Sequence, residues 1–267
     1  MGEVNIIHIS DLHFAARDSS LTPVVALRLA IQASIPHTLG APTILAISGD
    51  VTNRGEQVGF DGAQRALAEH QSTLQPESIV FCPGNHDISG GTFDAFNQFV
   101  FRVTNDSQMR WSTRQPVVSM LRQGYHFVLV NSYFEADHAQ GRIPIDHLRN
   151  ALQNHPGAPV IVLVHDSPIS SRYGGQSLVD GYDLLNICAA RGVTAILHGH
   201  VHSNQSLIVG RLGTLVAGTG SLGYKPDPNM NNHFAIYRFA DTAFQEGLSF
   251  KYHENSRTFE STPMEMN

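Results

Sequence analysis

The sequence predicts an α/β fold in which two β-sheets pack face to face with helices on the outside, and two patterns predict it. Through residue 202, short runs rich in Ile, Val and Leu alternate with stretches of helical period, the mark of a layered and largely parallel sheet. Beyond that point the helical stretches cease and strand candidates follow one another closely, as in an antiparallel or mixed second sheet.

The first group of strands is expected at 4–9, 43–47, 78–81, 126–130, 159–164 and 193–197, each an apolar run that ends in a polar cluster. Runs this short and this apolar read as buried strands. Between them, 23–33, 60–70, 92–100, 145–154 and 179–190 carry apolar residues at helical spacing. The later strands are expected at 206–209, 213–217, 233–239 and 246–252. The segment 104–123 has no clear period and holds the only tryptophan, Trp111, so it reads as a lid or rim, or as an ordinary surface connection. One domain spanning 1–255 and a frayed tail at 256–267 complete the expected organisation.

The chain has 267 residues, 42% hydrophobic and 15% charged, a globular composition rather than that of a disordered segment. Its formal charge of −6, from 17 Lys+Arg against 23 Asp+Glu with no basic run, gives a long nucleic acid little to hold. The N-terminus has neither a secretory pattern nor a myristoylation signal, and no apolar stretch is long enough to span a bilayer. Cys82 and Cys188 lie in apolar surroundings and read as buried free thiols, which suits a reducing compartment. A cytoplasmic protein without membrane attachment is the expectation.

Five separated motifs carry chemistry. Asp11-Leu12-His13, Gly49-Asp50, Gly84-Asn85-His86-Asp87, His165 and Gly199-His200-Val201-His202 each follow the carboxyl end of an expected strand, the edge at which open α/β sheets bind ligands. Aspartate, asparagine and imidazole are the donors that hold borderline divalent metals. Asp11 and His13, at i and i+2, share a face if the segment is extended. The glycine of Gly84-Asn85-His86-Asp87 permits a tight turn. His198, His200 and His202, alternating at a strand end, point one way. Alone, each motif is also explained by a turn, a cap or a hydrogen-bonded histidine. In this order, all at strand ends, they point to a dinuclear metal site and to hydrolysis.

The series D-x-H, GD, GNHD, a lone histidine after an apolar strand, and GHVH is similar to the calcineurin-like metallophosphoesterase superfamily over residues 4–202. The chain looks most like its bacterial class III cyclic nucleotide phosphodiesterases. That resemblance implies a four-layered αββα sandwich and two divalent transition-metal ions, Mn, Fe, Zn, Co or Ni. It implies that Asp11, His13 and His202 hold one metal, that Asn85, His165 and His200 hold the other, and that Asp50 bridges them. A water shared by the two cations, its pKa lowered toward about 7, then attacks the phosphorus of a small phosphodiester. His86 protonates the leaving alkoxide, and Asp87 orients a neighbouring histidine.

A 3′,5′-cyclic nucleotide is the expected substrate, with 2′,3′-cyclic nucleotides or glycerophosphodiesters as the alternative. A nuclease, a protein phosphatase and a binding module without turnover rank lower. His165 is followed by Asp166-Ser167-Pro168, where many relatives carry a second histidine, and this carboxylate is expected to repel an anionic substrate. Gly49-Asp50-Val51-Thr52-Asn53-Arg54-Gly55 resembles the phosphate-gripping motif of protein Ser/Thr phosphatases, but Asn53 replaces its acid. Base-binding residues are expected in the loops at 14–20, 104–123 and 173–177. Tyr224-Lys225-Pro226 and the later strands offer a homodimer edge, or an ordinary closing hairpin.

Overall fold

The computed structural model describes residues 2–16, 21–88, 92–135, 140–153, 157–170, 177–224 and 230–265. In chain order its elements are β1 (Val4–Ile9), α1 (Pro23–Ser34), β2 (Thr43–Ile47), α2 (Gln57–Leu74), β3 (Ser78–Phe81), α3 (Asp94–Thr104), β4 (Val117–Arg122), β5 (Tyr125–Val130), α4 (Ile145–Gln153), β6 (Val160–Val164), α5 (Gly181–Arg191), β7 (Ala195–His198), β8 (Gln205–Val209), β9 (Thr214–Gly218), β10 (His233–Ala240), β11 (Ala243–His253) and β12 (Thr258–Pro263). They form two six-stranded mixed sheets, ordered β12-β11-β10-β1-β2-β3 and β4-β5-β6-β7-β9-β8.

The heart of each sheet is parallel: β1 with β2 and β2 with β3 in the first, β5, β6, β7 and β9 in succession in the second. The second sheet divides its side chains by the two-residue period of a strand. Phe127, Leu129, Ile161, Leu163 and Leu197 point into the core shared with the first sheet. Val128, Val130, Val162, Val164 and Ile196 point the other way, onto Leu148 and Leu152 of α4 and Leu184 and Cys188 of α5. Helix α1 starts where Thr22 accepts a hydrogen bond from the Val25 amide and Pro23 occupies its first turn, a favourable start because Pro lacks only an N–H that would be unbonded there. It buries Ala26, Leu27, Ala30 and Ile31, the three-and-four spacing of one helix face. The outcome is the expected αββα layering.

Three expectations are corrected. The strands after β7 do not form the second sheet by themselves: β8 and β9 join β7, whereas β10 and β11 cross to β1. Alternation marks a strand but not its partner. The segment 104–123 holds β4, which pairs with β5 through a two-residue turn at Gln123 (φ 49°) and Gly124 (φ 79°), the doubly left-handed geometry that suits hairpin twist. Trp111 is no lid residue: it is buried against Phe96 at 5.5 Å between ring centroids, and its backbone N–H and C=O are both bonded to the Asn97 side chain at 2.9 Å.

The third correction concerns the tail, where β12 pairs with β11 along its length. Phe259 is 8% exposed and meets Phe234 and Tyr252 at 5.0 and 5.4 Å. Both cysteines are free and buried, and burial pushes the Cys188 thiol up to about 12. No helix among the described residues is long and apolar enough to cross a membrane. Phe259→Ala is expected to destabilise the protein by about 3 kcal/mol, the usual cost of emptying an aromatic site in a core, seen as a lower denaturant midpoint. A shift below about 0.5 kcal/mol, the range of surface changes, restores the frayed-tail reading.

Candidate metal centre

Because β1, β2 and β3 run parallel, as do β6 and β7, their carboxyl ends open on one edge of the sandwich. There β1 delivers Asp11 and His13, β2 delivers Asp50, β3 leads into the 3-10 turn Asn85–Asp87, β6 ends at His165, and the loop after β7 carries His200 and His202. The ladder between β1 and β2 continues past the strands through Asp11 N to Gly49 O (3.1 Å) and His13 N to Asp50 O (3.0 Å). The two sheets are tied together here as well. The His200 amide donates to Asp11 Oδ2 at 3.1 Å, and His165 Nδ1 donates to the Ser48 carbonyl at 2.7 Å.

What turns the side chains inward differs from strand alternation. Asp11, His13, Asp50, His200 and His202 all adopt left-handed backbone, with φ of 54°, 48°, 51°, 68° and 51°. Non-glycine residues rarely do so, at a cost of order 1–2 kcal/mol each. Five such residues meet at one edge, and backbone strain of this kind gathers where function requires it. Two glycines permit the close packing: a Cβ on Gly84 would lie 2.2 Å from Asp50 Oδ1, and one on Gly199 1.9 Å from Ser10 Oγ.

The donor atoms form three groups, Asp11 with His13 and His202, His13 with Asp50 and His86, and Asp50 with His165 and His200. His202 Nε2 lies 3.0 Å from Asp11 Oδ1, His13 Nε2 lies 3.7 Å from both Asp11 Oδ1 and Asp50 Oδ2, and His165 Nε2 lies 3.3 Å from Asp50 Oδ2. His200 Nδ1 lies 3.2 Å from His165 Nε2. Donors bonded to one cation at about 2.0–2.2 Å stand roughly 3.0–3.5 Å apart, so these spacings fit divalent metals. Both ring nitrogens of His13 are buried and have no hydrogen-bond partner among the described residues, which a metal bond would remedy.

Electrostatics point the same way. Burial alone would raise the pKa of Asp11, but His202, His13 and His165 outweigh it and hold the carboxyl well below the usual range. In Asp50 burial is likewise outweighed by His165 and His13. Burial presses His165 toward its neutral form, yet Asp50, with Asp11 and Asp166, raises its pKa well above that of an ordinary histidine. The field that retains this proton would equally attract a cation.

Asn85 opens the 3-10 turn between Gly84 and His86, with its side chain half-buried. His86 is exposed, its amide donates to Asp50 Oδ1 at 2.9 Å, and its Nδ1 bonds the Asn53 carbonyl at 2.6 Å. Asp87 departs from expectation. Its carboxylate accepts from the Val51, Thr52 and Gly84 amides and from Thr52 Oγ1, and no histidine is among its described partners, so it clamps the β2 and β3 loops together. Burial and neighbouring Asp50 raise its pKa to about 7 against the pull of those amides. His198 is a core residue: burial lowers it to about 4, and its Nδ1 meets only the Gly199 carbonyl, at 3.3 Å.

Two wall residues escaped sequence reasoning. Tyr224 lies in the loop before β10, and its ring lies 4.9 Å from that of His13 and 5.7 Å from that of His202. The chain returns there because Leu222 and Gly223 amides bond the Ser10 and Asp11 carbonyls, a contact without a sequence signature. Lys225 and Pro226, and most of the loops at 14–20 and 173–177, lie outside the described residues. Asp166, expected to repel substrate, is instead buried, accepts from Ser132 Oγ and from Tyr133 OH (2.6 Å), and stands 3.6 Å from His200 Nε2. It backs His200 with the Nδ1 side turned to the centre, and the departure after His165 was its only signal.

The chain belongs to the calcineurin-like phosphoesterase family, whose sequence profile matches residues 4–204 and so takes in every candidate ligand. The family is one of divalent-metal phosphoesterases. None of the curated proteins matches the sequence. Among solved structures, GAP50 of Plasmodium, the anchor in the inner membrane complex, is similar with a TM-score of 0.62 at 10% identity over 100% of this chain and 90% of that one. The sulfate thiohydrolase SoxB of Thermus thermophilus follows at 0.55 and 13%, over 98% of this chain and 58% of that one. The phosphopantetheinyl hydrolase PptH of Mycobacterium tuberculosis is similar at 0.50 and 14%, over 85% and 98%. At such identities the likeness establishes the fold, and one fold serves many functions.

Asp166→Asn keeps the shape but removes the charge behind His200, and is expected to weaken metal binding about 10–100-fold, measured by titration against a competing chelator. Wild-type affinity in that variant sinks the positioning role.

Proposed function

We propose that this chain is a dinuclear metal-dependent phosphodiesterase for small phosphodiesters, with a 3′,5′-cyclic nucleotide as its substrate and 2′,3′-cyclic nucleotides or glycerophosphodiesters as the alternative. The observation that carries this reading is the meeting of Asp11, His13 and His202 on one side of Asp50 and of His165 and His200 on the other. Asp11, His13 and His202 would hold one metal, and Asn85, His165 and His200 the second. Asp50, which belongs to two of the three donor groups, would bridge. When bound, two such cations polarise a phosphate and lower the pKa of water toward neutrality.

The chain's own residues supply the rest. His86 is exposed and its Nδ1 donates to the Asn53 carbonyl, so the imidazolium form would hold its second proton on Nε2 and pass it to the leaving alkoxide, returning to the neutral ring. The buried partners of Asp11 and Asp50 keep the donors aligned without rearrangement during the reaction. The net charge of −6 favours a small substrate over a long strand. A cytoplasmic setting suits the free, buried Cys82 and Cys188.

Metal analysis together with turnover of bis(4-nitrophenyl) phosphate tests the reading. Exhaustive chelation is expected to abolish turnover, and Mn²⁺ to restore it; turnover that survives chelation, or its absence from metal-replete protein, refutes the proposal. His86→Ala should keep its metal and slow kcat by about 10²–10⁴, whereas Asn85→Ala should lose metal and most of its activity. A panel of 3′,5′- and 2′,3′-cyclic nucleotides, acyclic diesters and monoesters then ranks the substrates.

A further inference from the structure

In a sandwich of two sheets the facing sides are apolar, because they make the core between them. Here that rule fails on β10–β12. On the helix side of β10–β12, Phe234 stacks on Phe250 at 4.3 Å and packs against Phe259 at 5.0 Å. The opposite side carries His233, Lys251 and Glu260 in one cross-strand row and Ser249 in the next. Facing them across a groove of about 1410 Å³ is the segment from His202 to Leu207 that leads into β8. The walls are joined by Asn204 Nδ2, which donates to Ser249 Oγ at 2.7 Å. His202 lines this groove and also bonds Asp11, so the groove opens directly from the metal centre.

Its volume exceeds the roughly 300–1,000 Å³ usual for small-molecule sites and is far more than the immediate surroundings of one phosphate need. Its charges are unevenly matched. Glu260 is engaged with His253 at 3.6 Å and Glu265 also lines the groove, whereas Lys251 forms no ion pair among the described residues. Beside it, His233 also lines the groove, its ring held by the Phe250 backbone. Burial, with Lys251 and His253, lowers the His233 pKa to about 4 against the pull of the Phe250 backbone, so this ring is neutral at pH 7 and Lys251 supplies positive charge. A cationic amine and an imidazole on a polar wall are groups that recognise an anion.

We propose that this groove is a subsite for a second anionic group, a phosphate or a carboxylate, borne by the alcohol part of an extended phosphodiester, with Lys251 as its ionic partner and His233 as a hydrogen-bonding partner. The proposal rests on the phosphodiesterase reading and extends its substrates beyond cyclic nucleotides to diesters with a charged far end.

The dinucleotide ApA and its terminally phosphorylated forms pApA and ApAp test it. With wild-type enzyme, at least one phosphorylated form should exceed ApA in kcat/KM by about tenfold, the scale of one charge-assisted contact. Lys251→Ala should bring that ratio, measured within the same enzyme, close to one, and Lys251→Arg should preserve it. Equal kcat/KM for all three in the wild type, or an undiminished preference in Lys251→Ala, overturns the subsite. A binding arm keeps the two readings separable. Adenosine 3′,5′-bisphosphate should bind metal-loaded wild type about tenfold more tightly than adenosine 5′-monophosphate by calorimetry, and equally in Lys251→Ala. Equal affinities in the wild type sink the subsite, even for a protein whose lack of turnover with bis(4-nitrophenyl) phosphate has already sunk the phosphodiesterase.

Discussion

Two ionised carboxylates, Asp11 and Asp50, lie buried at the seam between the sheets, and the surrounding structure is arranged to keep them there. Burying a charge costs several kcal/mol unless opposite charges and hydrogen bonds compensate. The compensation is supplied from both sheets at once: His86 and His200 give backbone amides, while His13, His165 and His202 give imidazoles. This mutual dependence makes the seam rigid before any cation arrives, since neither sheet can shift without stranding a carboxylate.

The same constraint explains the local backbone. Five left-handed residues and two glycines packed onto carboxylate or hydroxyl atoms bring the donors nearer than regular strands allow. Asp87, buried and bonded to three amides, fixes the two loops between which Asp50 and His86 approach each other. On the other side of Asp50, Asp166, Ser132 and Tyr133 do the same for His200. Each of these is a way of holding an intrinsically unfavourable arrangement in place.

Much of this was legible in the sequence. The parallel strands announced themselves as short apolar runs, and the candidate ligands as polar motifs at their ends, because a buried strand and a metal donor each demand particular residue types. Less legible were features set by distant packing. Val117–Arg122 and Thr258–Pro263 are edge strands with one exposed face, so their apolar signal is diluted. Nothing local to β10 says that it pairs with β1 rather than with β9. Tyr224 reaches the centre through backbone bonds to Ser10 and Asp11, which no spacing encodes. The candidate ligands beside Asp87 suggest a histidine partner for it, whereas its geometry serves amides.

The pairing of β1 with β10, in which Val4 faces Phe239, has a consequence for how the chain is made. β1 acquires its second neighbour only when the chain has been synthesised through β10. Until then β1 presents an unpaired edge, an invitation to association with other chains. Contacts so remote in sequence also slow the search for the native state. The cradle around Asp11 is thus completed late, and a nascent chain halted after β9 has its donors translated but its first sheet open on one side.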